Sequence, residues 1–174
     1  MSLDILQGFN LYADDVNKWL GLDKLKLPAL EDEMVDFRPG AGTLETEICV
    51  GLKKLSMPFT LKTVDPQLLG LFGLGAAVKK KFTTYGYIVD EISGQEKQLI
   101  MTVRGRIMKA EQADLQAKEI ADYDYAVGGI VYYHLSIGGK TIHKISARTN
   151  EQIVNGVEQN ATRNRFLAVR GGGL

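Results

Sequence analysis

The sequence has few of the residues that build disulfides and metal sites, and it has no excess of charge of either sign. It has one cysteine, Cys49, so no intramolecular disulfide can form and no oxidising compartment is indicated. Its 21 basic residues balance 21 acidic ones, which disfavours a protein that grips a nucleic acid through a basic surface. The short basic run at residues 79–81 is typical of a solvated strand end.

Long apolar runs are also lacking. No window reaches the ~18 uninterrupted apolar residues that a membrane-spanning helix needs. Residues 1–15 have no basic segment followed by an apolar stretch, so they are not typical of a signal peptide. We therefore expect folding in a cytoplasm without a lipid anchor. The length predicts one domain, 1–174, with the first few residues and residues 170–174 flexible.

Alternating apolar and polar residues are abundant and predict a mainly β fold. In residues 44–52 the apolar side chains alternate with Glu45 and Glu47, the pattern of a half-buried strand. Residues 80–108 predict a hairpin that turns at Ser93-Gly94.

The second arm of that hairpin has two distinct faces. Leu99, Met101, Val103 and Ile107 share one face, whereas Arg104 and Arg106 lie on the other. Gly105, between the two arginines, predicts a β-bulge or a close approach of another backbone.

Both histidines lie in a further hairpin, predicted around Gly138-Gly139. A two-residue turn there brings His134 opposite His143, at a non-hydrogen-bonded position where side chains approach closely. Zinc needs three or four protein ligands, and the neighbouring polar side chains on this face carry only hydroxyls. A polar pair on an exposed or inter-subunit face is therefore favoured over a metal site.

Two short helices are predicted. Asp65 is a suitable N-cap and Pro66 suits the first helical position, with Gly73 or Gly75 as the end of that helix. A last short helix is expected within residues 160–169. No motif supports catalysis.

Several short phrases, taken in their order along the chain, are more informative than any single motif. They are NLYADDVNKWLG, LPAL, FRPGAG, VGL, LLGLFGL, MTVRGRIMK, YYHLSIGGKTIHKI and IVNGVEQNATRNRFL. The ordered set resembles the major tail tube proteins of contractile-tailed bacteriophages and the tube subunits of R-type bacteriocins. VRGRI matches the family's Arg-Gly-Arg strand, and IVNGVEQ matches its turn, with Glu158 at the acidic position. The chain departs from the family in the loop that follows RGRIMK and in the added AVRGGG of its tail.

The resemblance implies a small antiparallel β-barrel or sandwich with one or two short flanking helices. It implies hexameric rings that stack into a hollow tube, with sheath, baseplate and tape-measure proteins as partners. Such a tube conducts a genome into a host, or penetrates a target membrane without one. The subunit would be part of a virion tail or phage-tail-like particle assembled in the bacterial cytoplasm, with no cofactor and no enzymatic activity.

Eight residues are candidates for the lumen or for a subunit interface. They are Glu45, Glu47, Arg104, Arg106, His134, His143, Asn155 and Gly156. Two alternatives stay open: a tube or adaptor ring like that of type VI secretion, and a metal-dependent β-barrel enzyme that uses the two histidines.

Overall fold

The computed structural model describes residues 1–169, which form antiparallel strands and two short helices. The strands are β1 Asp4–Ala13, β2 Val16–Asn17, β3 Leu22–Leu25, β4 Asp32–Phe37, β5 Thr46–Leu52, β6 Met57–Leu61, β7 Lys80–Asp90, β8 Glu96–Gln112, β9 Tyr123–Ile137, β10 Lys140–Ser146, β11 Glu151–Val154 and β12 Val157–Glu158. The helices are α1 Pro66–Leu69 and α2 Ala161–Phe166. The prediction of a mainly β fold with two short helices is confirmed. The predicted flexible tail, 170–174, lies outside the described residues.

Ten strands form one sheet, and the remaining two form a separate hairpin. The main path of the sheet runs β12-β11-β10-β9-β8-β7-β1-β2, and β6 joins β3 to the first half of β9. Among residues 1–169, strands β4 and β5 pair only with each other. Both predicted hairpins, β7–β8 and β9–β10, are present.

The hydrophobic core lies on one face of the large sheet and includes side chains of β6 and α1. Its fully buried side chains include Leu11, Met57, Leu68, Phe82, Met101, Val103 and Val127. The apolar residues of β8 that share a face in the sequence all belong to this core. The alternation of apolar and polar residues in β8 therefore predicts correctly which face of the strand packs against the core.

Helix α1 begins as the sequence predicts and ends earlier. The Asp65 carboxylate accepts hydrogen bonds from the backbone N–H groups of Gln67, at 3.0 Å, and Leu68, at 3.1 Å. The helix ends at Gly70 rather than at Gly73 or Gly75. The chain leaves the helix there because Phe72 forms a parallel bridge with β8.

Gly105 lies at a register shift between β8 and β9, as predicted. A Cβ at this position would stand 2.8 Å from both the Gly128 carbonyl oxygen and Val127 Cγ1. Only glycine allows the two strands to cross so closely.

The segment 44–52 differs from its prediction. Its strand, β5, was expected to be half-buried, but residues 46–50 are exposed on both faces. The reason is that β5 pairs with β4 alone, and a two-stranded sheet has no second layer to cover its apolar side chains.

Asp90 fixes the start of β1 to the β7–β8 turn. Its buried carboxylate accepts hydrogen bonds from Ser93 Oγ at 2.5 Å, Leu3 N at 2.9 Å and Ile92 N at 3.1 Å. The Ser93 hydroxyl, followed by these two N–H groups, lowers the pKa of Asp90 to about 2.

We expect Asp90→Asn to lower the Tm by several degrees at pH 7, and the difference to vanish in acid. Because the folded pKa lies below the unfolded value of about 3.9, the contribution is complete above that value and is lost as the pH falls through about 2. Thermal unfolding of both proteins between pH 7 and pH 2 measures this, with the exposed Asp15→Asn as control. Parallel stability curves for parent and Asp90→Asn across that range would contradict the assignment.

Candidate assembly surfaces

The histidine hairpin has the predicted turn and a different register beyond it. Gly138 and Gly139 both have positive φ, 58° and 79°, as a tight two-residue hairpin turn requires. Ile142 is an extra residue in β10, so His143 lies opposite Leu135, and Lys144 lies opposite His134. The prediction that the histidines face each other is therefore wrong.

The extra residue places the two imidazoles on opposite faces of the sheet. His143 shares the face of Leu135, and Leu135 in turn pairs with the buried Met101. His134 lies on the other face, with Nε2 3.1 Å from Thr141 Oγ1. Burial, and then the nearby Lys144 ammonium, lower the pKa of His134.

Residues 1–169 contain no group of three or more His, Cys, Asp or Glu side chains placed to hold a metal ion. In the same part of the chain, no helix is long and apolar enough to cross a membrane. The metal-centre hypothesis required His134 and His143 to lie side by side, and the observed strand register places them apart.

The face of β7–β10 turned away from the core carries two polar rows, and we call these two rows the polar face. Cross-strand pairing aligns Thr83, Thr102, His134 and Lys144 in one row, and Lys81, Arg104 and Tyr132 in the next. Alternating burial from Val103 to Ile107 places Arg106 on the same side as Arg104. Three of the candidate residues, Arg104, Arg106 and His134, therefore share this face.

The β4–β5 hairpin carries two other candidates and has two unlike faces. Glu47 lies directly opposite Asp36, and Glu45 forms an exposed 2.9 Å ion pair with Arg38. The structure does not bring Glu45 and Glu47 together with the arginines, because the hairpin is a separate sheet.

The sequence predicted the β5 half of the second face as the buried side of a strand and did not predict its β4 half or its exposure. This second face carries the exposed side chains of Val35, Phe37, Ile48 and Val50, and we call it the apolar hairpin face. Val35 and Ile48 are direct cross-strand partners. In β4 the available signal was the alternation within its sequence DEMVDF, where Val35 and Phe37 share a face. The three acidic residues make the segment as a whole resemble a polar one.

Asn155 and Gly156, the last two candidates, form the tight turn between β11 and β12. Both have positive φ, 50° and 81°. The carboxylate of Glu158 accepts hydrogen bonds from Gln152 N at 3.0 Å and Asn160 N at 2.8 Å. An acidic side chain at position 158 therefore connects the backbone of β11 to the N-cap residue of α2.

The edge of the sheet at β1 is open over most of its length. Strand β2 pairs only with Tyr12 and Ala13, so residues 4–11 have no strand partner on that side within the described chain. Ile5 and Leu6 are exposed along the same stretch. An open edge with apolar side chains is a template for another strand.

Within residues 1–169 the protein has sheets with two unlike faces, an open sheet edge and an apolar hairpin face that no other element covers. These features indicate a structural β protein that associates with other subunits. Solved structures with a similar fold come from contractile injection systems. A chain of the sheath–tube complex of an extracellular contractile injection system (PVC) in its extended state has a TM-score of 0.54 at 10% identity, covering 74% of this chain and 87% of that one. A chain of the sheath/tube terminator of such a system gives 0.52 at 11% identity, covering 75% and 93%.

A third structure, the tube-terminating cap of the anti-feeding prophage, has a TM-score of 0.51 at 13% identity, covering 74% of this chain and 86% of that one. No curated protein is significantly similar in sequence. Residues 4–167 match the family described as phage tail tube protein FII, and the chain belongs to that family. The sequence-based predictions of a non-enzymatic tail tube subunit, and of a phage tail or phage-tail-like particle as its location, are confirmed.

Proposed function

We propose that this subunit closes head-to-tail into hexameric rings and that the rings stack into the hollow inner tube of a contractile particle. The observation that carries the proposal is the open edge of β1, with Ile5 and Leu6 exposed beside it. A ring is the closed arrangement in which every subunit uses the same two different surfaces. Ring closure removes the open edge and would turn the sheets into one continuous β-barrel.

In this arrangement the polar face lines the lumen. One of its rows combines two threonine hydroxyls with His134 and a single lysine, Lys144, rather than a continuous basic stripe. The chain as a whole has zero net charge, so a polyanion can pass without being held. Arg104 and Arg106 would be the lumen cations.

The elements that carry the remaining candidates serve contacts between subunits. The β4–β5 hairpin, with Glu45 and Glu47 on its acidic face, would reach the next ring through its apolar face. The Asn155-Gly156 turn lies at the sheet end that must meet the neighbouring subunit, and His143 lies one strand further in.

The printed description of a similar structure, a sheath–tube complex, supports a contractile sheath as the outer partner. Baseplate and tape-measure proteins would start the tube and set its length, with assembly in the bacterial cytoplasm. The tube would conduct a genome where a head is attached, and penetrate a membrane where none is. A secretion-type tube is the second candidate, because the similar structures belong to injection systems.

Negative-stain microscopy of the concentrated, purified protein tests the assembly. We expect rings with six-fold averages and short tubes with a continuous central channel, increasing when a baseplate is added as initiator. Monodisperse monomers at every concentration, with and without the initiator, would overturn the proposal.

A further inference from the structure

An aromatic groove lies beside the open edge of the sheet. It has a volume of about 630 Å³ and is lined mainly by β1, β7 and β8 together with Trp19. Trp19, Tyr85 and Tyr87 supply its apolar surface. Trp19 is 58% exposed, which is unusual for a residue that buries so much apolar area when covered.

The rim of this groove carries an acidic group. Tyr87 donates its hydroxyl hydrogen to Glu96 Oε1 at 2.6 Å, and the Glu96 side chain is exposed. The groove therefore combines aromatic walls with a carboxylate that is held in place, a combination that suits an aromatic side chain accompanied by a cation.

Helix α2 presents such a pair. Phe166 is 77% exposed, and the guanidinium carbon of Arg165 lies 5.2 Å from the centre of its ring. Leu167 is exposed beside it, and α2 has basic residues but no acidic ones in its terminal turns. We call Arg165, Phe166 and Leu167 the α2 knob.

Polar contacts hold the knob in a fixed position although α2 buries no side chain. Asn150 Nδ2 donates to Asn164 Oδ1 at 2.7 Å, and Asn164 Nδ2 donates to the Asn150 carbonyl at 3.0 Å. Asn160 Nδ2 donates to the same carbonyl at 3.1 Å. A fixed knob loses little conformational entropy on docking.

We propose that the α2 knob of one subunit inserts into the aromatic groove of the next subunit in the ring, with Arg165 facing Glu96. This inference rests on the proposed function and names the side chains that join neighbouring subunits.

The placement of the two surfaces favours a second copy of this chain as the occupant. Helix α2 directly follows β12 at one end of the sheet, and the groove lies at β1, at the other end. Six strand spacings separate β12 from β1, about 29 Å along the sheet. The knob and the groove therefore belong to different ends of the sheet, and a head-to-tail ring brings unlike ends of adjacent subunits together.

Charge complementarity supports the same pairing. Arg163 and Arg165 are the basic residues of α2, and the carboxylate at the groove rim belongs to Glu96. Desolvated arginine and aromatic groups at the centre of an interface are those whose loss weakens binding most.

Fluorescence of Trp19 tests the proposal directly, because it is the single tryptophan of the chain. We expect its emission to shift to shorter wavelength on ring formation, as the indole leaves water. Phe166→Ala should reduce this shift and raise the critical concentration for assembly about tenfold or more. Leu115→Ala, which truncates an 84% exposed side chain in the loop after β8, is the matched control and should change neither.

A charge exchange separates the ion pair from general effects on folding. Arg165→Glu should weaken assembly about fivefold to tenfold, and adding Glu96→Arg should restore it. Rings that form while Trp19 emission stays constant, or shifts equally in Phe166→Ala, would overturn the knob proposal and leave the tube function intact. Failure of the parent protein to form rings would overturn both.

Discussion

Replacing Asp65 with alanine is expected to lower the free energy of unfolding by about 3–5 kcal/mol. Asp65 Oδ2 lies 2.6 Å from Lys18 Nζ, and the two side chains are only 15% and 6% exposed. Removal of the carboxylate leaves a buried ammonium with Gln67 Oε1, at 3.2 Å, as its remaining side-chain partner. The same substitution deletes the N-cap of α1, which adds about 1 kcal/mol.

Urea unfolding monitored by circular dichroism measures this effect. In the double variant Asp65→Ala/Lys18→Met, both buried charges are gone, so we expect more than half of the lost stability to return. Glu45→Ala, which breaks an exposed ion pair with Arg38, is the control and should cost no more than about 1 kcal/mol. A cost below 1 kcal/mol for Asp65→Ala would show that the pair does not hold β2 to α1.

Introducing glutamates at Val35 and Ile48 is expected to abolish tubes and leave the subunit folded. The two side chains are cross-strand partners on the apolar hairpin face, and neither contributes to the core. Burial of two such side chains contributes at least about 3 kcal/mol to a contact, so the stacking constant should fall more than about 100-fold.

Microscopy and sedimentation of the Val35→Glu/Ile48→Glu variant measure this loss, and the Tm should stay within a few degrees of the parent. Glu47→Gln is the matched control on the opposite face of the hairpin. It removes one of the two like charges at the Asp36–Glu47 pair and should leave tubes unaffected. Tubes of normal length in the double glutamate variant would exclude the hairpin from stacking.

The elements that depend on local pattern could be predicted from the sequence. The alternation in β8, the cap at Asp65 and the glycine turn at residues 138–139 each act over a few residues, and each is present in the structure. The register of the histidines could not be predicted in this way. A bulge at Ile142 adds one residue to one strand, and the hairpin sequence carries no glycine or proline there to signal it.

The assembly surfaces were predictable only in part, for a different reason. The turn at Asn155-Gly156 and the face shared by Arg104 and Arg106 follow from neighbouring residues. The aromatic groove joins Trp19 to Tyr85, which are far apart in the sequence and meet only because β1 pairs with β7. Family membership was predictable because many short sequence phrases, each of low specificity alone, occur in the family's order over nearly the whole chain.

The irregularity in β1 also bears on how the free subunit survives before assembly. An edge strand with apolar side chains invites indiscriminate cross-β stacking, the first step towards amyloid. Gln7 interrupts the pairing of β1 with β7 between Leu6 and Gly8, and the ion pair between Asp4 and Lys97 lies at the start of the strand. A flat fibril cannot propagate across such a break, whereas a partner of matching shape can accommodate it. The edge proposed to close a ring is thereby protected against misassembly in the free subunit.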